Sequence, residues 1–145
     1  MIRIQQLDHL GIRVMDAKRA IAFYEKLGFK VQLVSDFDAV TIMVNDDDVE
    51  LNLITNGNDD VGGKNILMDV EKKHPGFTHV ALRVASIKDT LASLTLQGIT
   101  PSQGPVTFGG TGVSIFIRDP DRNVIELRGR DQKLDEIPGL KFYEP

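Results

Sequence analysis

His9-Leu10-Gly11-Ile12-Arg13-Val14 and His79-Val80-Ala81-Leu82-Arg83-Val84 are one stretch written twice, 70 positions apart, and every position keeps its character. A repeat of this length marks a duplicated supersecondary unit. The register continues beyond both copies. Seven residues after each histidine stands a helix N-cap candidate, Asp16 and Ser86, whose side-chain oxygen can accept from a free amide of the first turn. Nineteen residues after each histidine stands a glycine, Gly28 and Gly98, placed to end the helix. Between the caps, apolar residues recur at helical spacing: Ala17, Ala20, Ile21, Tyr24 and Leu27 in the first copy, Ile87, Leu91 and Leu94 in the second.

Short β-type runs follow each helix. The first copy has Lys30 to Val34, Val40 to Val44 and Val49 to Ile54. The second has a weaker run in Ile99 to Val106, then clear ones at Gly112 to Arg118 and Asn123 to Arg128. Asn45 to Asp48 and Asp119-Pro120-Asp121-Arg122-Asn123 mark turns, which makes the acidic run Asp46-Asp47-Asp48 a solvated turn. Each half therefore reads β-α-β-β-β. The expected class is α+β, with two βαβββ modules forming a curved mixed β-sheet cup. A single domain over residues 1–130 is expected, its modules at about 5–56 and 76–130. The polar segment from Asn56 to Pro75 links them. Residues 131–145 form a C-terminal extension, whose Leu140, Phe142 and Tyr143 either pack on a partner or fray.

The bulk numbers restrict function. The chain has 145 residues, 41% hydrophobic and 26% charged, the balance of a globular domain. With no cysteine, thiolate metal sites, disulfides and cysteine nucleophiles are excluded. A net charge of −4 argues against nucleic acid, which needs a concentrated basic face. No apolar run is long enough for a membrane span, and no signal-peptide pattern opens the chain, so the cytoplasm is the expected location.

The repeat also locates the chemistry. In each half the first strand opens with a histidine, and the last holds a glutamate in an apolar run, Val49-Glu50-Leu51 and Ile125-Glu126-Leu127. Period-two alternation puts Glu50 on a face with Asn52, and Glu126 on a face with Val124 and Arg128. It puts His9 with Gly11 and Arg13, and His79 with Ala81 and Arg83. A lone strand histidine is ordinarily structural and a lone strand glutamate ordinarily faces solvent. Four such residues at repeat-related places instead point to a metal set, His9, Glu50, His79 and Glu126. Two imidazoles and two carboxylates suit Zn, Ni, Co, Mn or Fe. His74, before Pro75, is expected to be exposed. Arg13, Arg83 and Asn52 are candidate substrate contacts, the arginines through a substrate carboxylate; alternatively the arginines pair with Glu50, Glu126 or neighbouring acids. Gly109-Gly110-Thr111-Gly112 lacks the lysine and the following helix of a phosphate loop, and reads as a substrate-side loop or a hairpin turn. Phe23 and Tyr24 read as helix core.

The pattern His9-x-Gly-x-x-Val14, Ala22-Phe23-Tyr24 with Leu27-Gly28-Phe29, His79-Val80-Ala81, and Asp119-Pro120-Asp121-x-Asn123-x-Ile-Glu126 resembles the vicinal oxygen chelate (glyoxalase/bleomycin resistance/extradiol dioxygenase) superfamily over about residues 5 to 130. The resemblance implies paired βαβββ modules, a divalent metal that chelates vicinal oxygens of a small-molecule substrate, and a homodimer. The set His, Glu, His, Glu is similar to that of bacterial-type glyoxalase I, a lactoylglutathione lyase acting on a hemithioacetal. In that likeness Glu126 is the catalytic base, with Glu50 the other candidate. Ile54 replaces an asparagine of that enzyme, Thr107 and Phe108 stand where it has a lysine, and Asn58 to Lys73 replaces its aromatic linker. Those positions contact glutathione there, so the likeness reaches the metal chemistry further than the co-substrate. Other members imply an Fe(II) extradiol-dioxygenase-like oxidoreductase using His9, His79 and Glu126, a thiol transferase, or a non-catalytic protein that sequesters a ligand. Glu50 distinguishes the lyase from the triad readings.

Overall fold

The computed structural model describes residues 1–35, 37–59 and 61–145; within the linker, Asp60 lies outside the described residues. The chain divides into two compact units, Met1–Lys64 and Asn65–Pro145. The class is α+β, and each unit carries one helix on one mixed sheet.

In the first unit, β1 (Leu10–Arg13) leads to α1 (Ala17–Lys26), then β2 (Lys30–Ser35), β3 (Val40–Val44) and β4 (Glu50–Ile54). The sheet order is β1-β4-β3-β2, with β1 parallel to β4 and the other pairs antiparallel. Both ends of α1 follow from local chemistry. Asp16 accepts from the amide of Arg19, a cap worth ~1 kcal/mol, and Gly28 leaves the helix at φ 94°. Ala20 and Tyr24 are buried, as are Ile12, Val14, Met43, Leu51 and Leu53 of the same unit. Tyr24 meets Phe23 and Phe29 edge-on, at 5.1 Å and 6.3 Å between ring centroids. Each fully buried side chain of this kind contributes roughly 1.5–3 kcal/mol. With the odd-numbered residues of β4 committed to this core, Glu50, Asn52 and Ile54 are left to the opposite face.

The second unit repeats the plan. β5 (His79–Arg83) leads to α2 (Ile87–Leu96), then β6 (Gln103–Thr107), β7 (Val113–Arg118) and β8 (Val124–Gly129). Ser86 caps α2 through the amide of Asp89, and Gly98 follows at φ 71°. Ile87 and Leu94 are buried, and α2 lies against β7 and β8, whose Val113, Ile115, Ile117, Ile125 and Leu127 are buried too. The order is β5-β8-β7-β6-β9, again with the first pair parallel. Neither sheet closes on itself. The tail does not fray: a 3-10 turn at Leu134–Glu136 leads to β9 (Lys141–Phe142), which adds to β6 in parallel, while Ile137 is buried and Tyr143 meets Phe108 at 4.9 Å.

Both expected turns form. Asn45 Oδ1 accepts from the amides of Asp47 and Val49, so the acidic run is an exposed turn. Asp119 Oδ1 accepts from the amides of Asp121 and Asn123. Asp69, from the linker, is bonded to Arg122 at 2.6 Å and 3.1 Å and to Arg118 at 3.1 Å, which ties the linker to that turn. These guanidiniums hold the Asp69 carboxyl far below the usual carboxylate range, the hydrogen bond from Arg122 being the largest cause; Arg122 is raised in return.

The weaker run of the second half begins later than its apolar residues suggest. Ile99 lies in the turn after α2, and β6 starts only at Gln103. Pro101 and Pro105 offer no amide to a ladder, and the pairing with β7 shifts between Gln103 and Val106.

Candidate metal and substrate site

In the first unit, β1 and β4 pair as Leu10 with Leu51 and Gly11 with Asn52. Continuing that register places His9 beside Glu50. His9 immediately precedes β1 and Glu50 opens β4, so these two stand at the ends of strands rather than inside them. His9 Nδ1 lies 3.7 Å from Glu50 Oε2. Asp8 joins them: its Oδ2 is 2.7 Å from the same nitrogen, and the ligand atoms of Asp8, His9 and Glu50 all fall within 4.8 Å of one another. Sequence reasoning missed Asp8, because alternation assigns it to the face away from His9. Alternation does not apply there, since the strand begins only at Leu10.

Asn52 follows Glu50 on the same face. Its Oδ1 is buried without a hydrogen-bond partner. A native structure leaves few such atoms, and an acceptor of this kind beside a histidine and a glutamate suits a bound ion or ligand. Arg13 lies on this face as well, and its Nε donates to Asn56 Oδ1 at 3.1 Å.

In the second unit, His79 opens β5 and Glu126 sits inside β8. His79 Nε2 is 3.4 Å from Glu126 Oε1. Thr78 Oγ1 bonds the other ring nitrogen, Nδ1, at 2.8 Å. An imidazole held at Nδ1 in this way keeps Nε2 oriented for a ligand role. Glu126 is held too. Ser114 Oγ donates to Glu126 Oε2 at 3.2 Å, and Arg128 Nη1 donates to Ser114 Oγ at 3.1 Å. The ring of Phe116 meets His79 edge-on at 6.0 Å. The sequence signal for Ser114 is a lone hydroxyl in the otherwise apolar run Val113-Ser114-Ile115-Phe116-Ile117.

The remaining candidates fall as follows. Arg83 is exposed on the face of His79, and no carboxylate among the described residues pairs with it. His74 is exposed. The Gly109 to Gly112 stretch connects β6 to β7 as a hairpin turn, with Gly109 at φ 120° and Gly110 at φ 65°.

Two donor pairs, imidazole with carboxylate, therefore stand one in each unit, both on the sheet face opposite the helix. Their chemistry fits a divalent ion: neutral imidazole nitrogen and carboxylate oxygen serve Zn, Ni, Co, Mn and Fe alike. No described helix is long and apolar enough to cross a membrane.

Comparison with known proteins shows the family. Over 132 residues the chain is 32% identical to virulence protein STM3117 of Salmonella typhimurium, covering 86% of this chain and 83% of that protein. It is 31% identical over 130 residues to the glyoxalase domain-containing protein RDO1 of Mycosarcoma maydis, covering 87% and 69%. The solved integron cassette protein of V. cholerae superposes with a TM-score of 0.63 at 28% identity, covering 89% of this chain and 98% of that one. Residues 6–127 match the family model described as Glyoxalase/Bleomycin resistance protein/Dioxygenase superfamily, and the chain belongs to that superfamily.

Proposed function

We propose that the chain is a divalent-metal enzyme of the glyoxalase type, a lyase or isomerase acting on a small molecule with adjacent oxygens, such as a hemithioacetal. The observation that carries the reading is the recurrence, in each unit, of one histidine and one glutamate turned toward each other on the face away from the helix. In the first unit His9 and Glu50 are the proposed ligands for an ion, and in the second His79 and Glu126 are. A bound ion would polarise the substrate oxygens and acidify the neighbouring C–H bond.

The protein's own part is to bind, orient and move a proton. Glu126 is suited to the last task. Its Oε2 is occupied by the Ser114 hydroxyl, which leaves Oε1, on the His79 side, to accept and return a proton. The Thr78–His79 bond fixes the ring, so the imidazole needs little reorganisation. Glu50 is the second candidate base. Arg13, Arg83 and Asn52 are the proposed substrate contacts.

The test is elemental analysis of protein purified without added metal, followed by turnover assays. Bound Ni, Zn or Co, with isomerisation of the methylglyoxal–glutathione hemithioacetal or a related compound, is the expected result. Oxygen uptake on catechols with bound iron would replace the lyase by a dioxygenase. No bound metal and no response to added metal would remove the proposal.

A further inference from the structure

The two parallel pairs that carry the histidines differ in register. In the first unit Leu10 pairs with Leu51 and Arg13 with Ile54, a register that, continued one residue back, sets His9 level with Glu50. In the second unit His79 pairs with Val124 and Ala81 pairs with Glu126, a displacement of two residues. That displacement brings Arg83 directly across from Arg128. Partners in a parallel pair point to the same side, so two guanidiniums stand side by side on the face that holds His79 and Glu126. Like charges directly opposite each other destabilise a sheet. Among the described residues, no carboxylate forms an ion pair with either of them. Arg118 and Arg122 of the same unit are instead both matched by Asp69.

The place of Arg128 is prepared. Its Nη1 donates to the fully buried Ser114, leaving further N–H groups uncommitted, and a Cβ on Gly112 would collide with Arg128 Nη2. Only glycine at 112 leaves the guanidinium its position. The pair begins two residues along β8 from Glu126, roughly 7 Å further along the strands.

We propose that Arg83 and Arg128 form an anion subsite, and that the substrate carries a carboxylate or similar oxyanion group at its far end, a few bonds from the oxygens that react beside Glu126. This rests on the proposed placement of the reaction at Glu126. It extends that placement by adding Arg128 and by fixing the substrate class as anionic. Two guanidiniums side by side can receive one carboxylate through paired N–H···O bonds, relieving their mutual repulsion.

The test compares two probes by calorimetry, with and without Zn. One is 2-oxoglutarate, which has vicinal oxygens at one end and a carboxylate three carbons beyond the oxo group. The other is 2-oxopentanoate, which lacks only that far carboxylate. The expected result is that 2-oxoglutarate binds about tenfold or more tightly, as one charge-assisted pair provides. Arg83→Met should bring the two affinities together, and Arg83→Lys should restore part of the difference. Arg83 is exposed, so these variants stay folded even where Arg128→Met does not. A difference that persists in metal-free protein and ignores Zn would keep the anion subsite while removing the metal reading. Equal affinities, no binding of either probe, or a difference that survives Arg83→Met would overturn the subsite.

Discussion

Ser114 donates its hydroxyl hydrogen to Glu126 Oε2 across 3.2 Å and accepts from Arg128 on its other side, while being fully buried itself. The direction is forced, because a guanidinium can only donate and an ionised carboxylate can only accept. Ser114→Ala removes the link with little change in volume. It should weaken metal affinity about 10–100-fold, the usual effect of losing a group that orients a ligand. Competition against a chromophoric chelator measures this. Unchanged affinity would take Ser114 out of the site.

Glu126 lies on the sheet face and not in the core, so Glu126→Gln should fold normally and lose about 10²–10⁴-fold in turnover. Circular dichroism and steady-state rates decide it; a wild-type rate would end its assignment as the base. Glu50→Gln should weaken metal binding, whereas Asp8→Asn should change it little, because the Asp8 side chain is 85% exposed.

These variants also bear on what the sequence made legible. Local chemistry was readable: Asp16 and Ser86 cap the helices, Gly28 and Gly98 end them, and alternation put Glu50 and Glu126 on the faces opposite the core. Non-local pairing was not. A slide of two residues leaves alternation untouched, so nothing in the pattern separated the level pair His9–Glu50 from the staggered pair His79–Glu126. β9 is only two residues long, and it exists because β6 offers a free edge. Alternation sets Arg128 on the face of Glu126, but its pairing with Arg83 across the strands depends on that same slide.

Acid should loosen the linker clamp. Arg122 and Arg118 hold Asp69 well below its ordinary value. A group whose pKa is depressed on folding contributes stability above its unfolded value, about 3.9, and loses that contribution as pH falls below it. The melting-temperature gap between wild type and Asp69→Asn should therefore stay constant from about pH 8 to 5 and narrow below about pH 4. A gap independent of pH down to 3 would show that the charge on Asp69 contributes nothing.

Gly104→Ala should be among the most damaging single substitutions. Its backbone sits at φ 91°, and a Cβ there would lie 2.5 Å from the carbonyl oxygen of Ser114, which belongs to the neighbouring strand and cannot turn aside. A loss of roughly 2–4 kcal/mol in urea unfolding is expected. Gly112→Ala collides only with the mobile end of Arg128, so it should cost less stability while displacing that guanidinium from Ser114.

The two-residue slide between the modules also bears on how a duplicated fold diversifies. Sliding a strand by one residue turns its core outward, but sliding it by two leaves every side chain on its own side and changes only which residues are neighbours. One copy of the module can thus exchange an arginine–isoleucine neighbourhood for an arginine–arginine one with its hydrophobic interior intact. The binding faces of the two halves can thus differ while the cores stay alike, the cost to folding being the repulsion of the two guanidiniums.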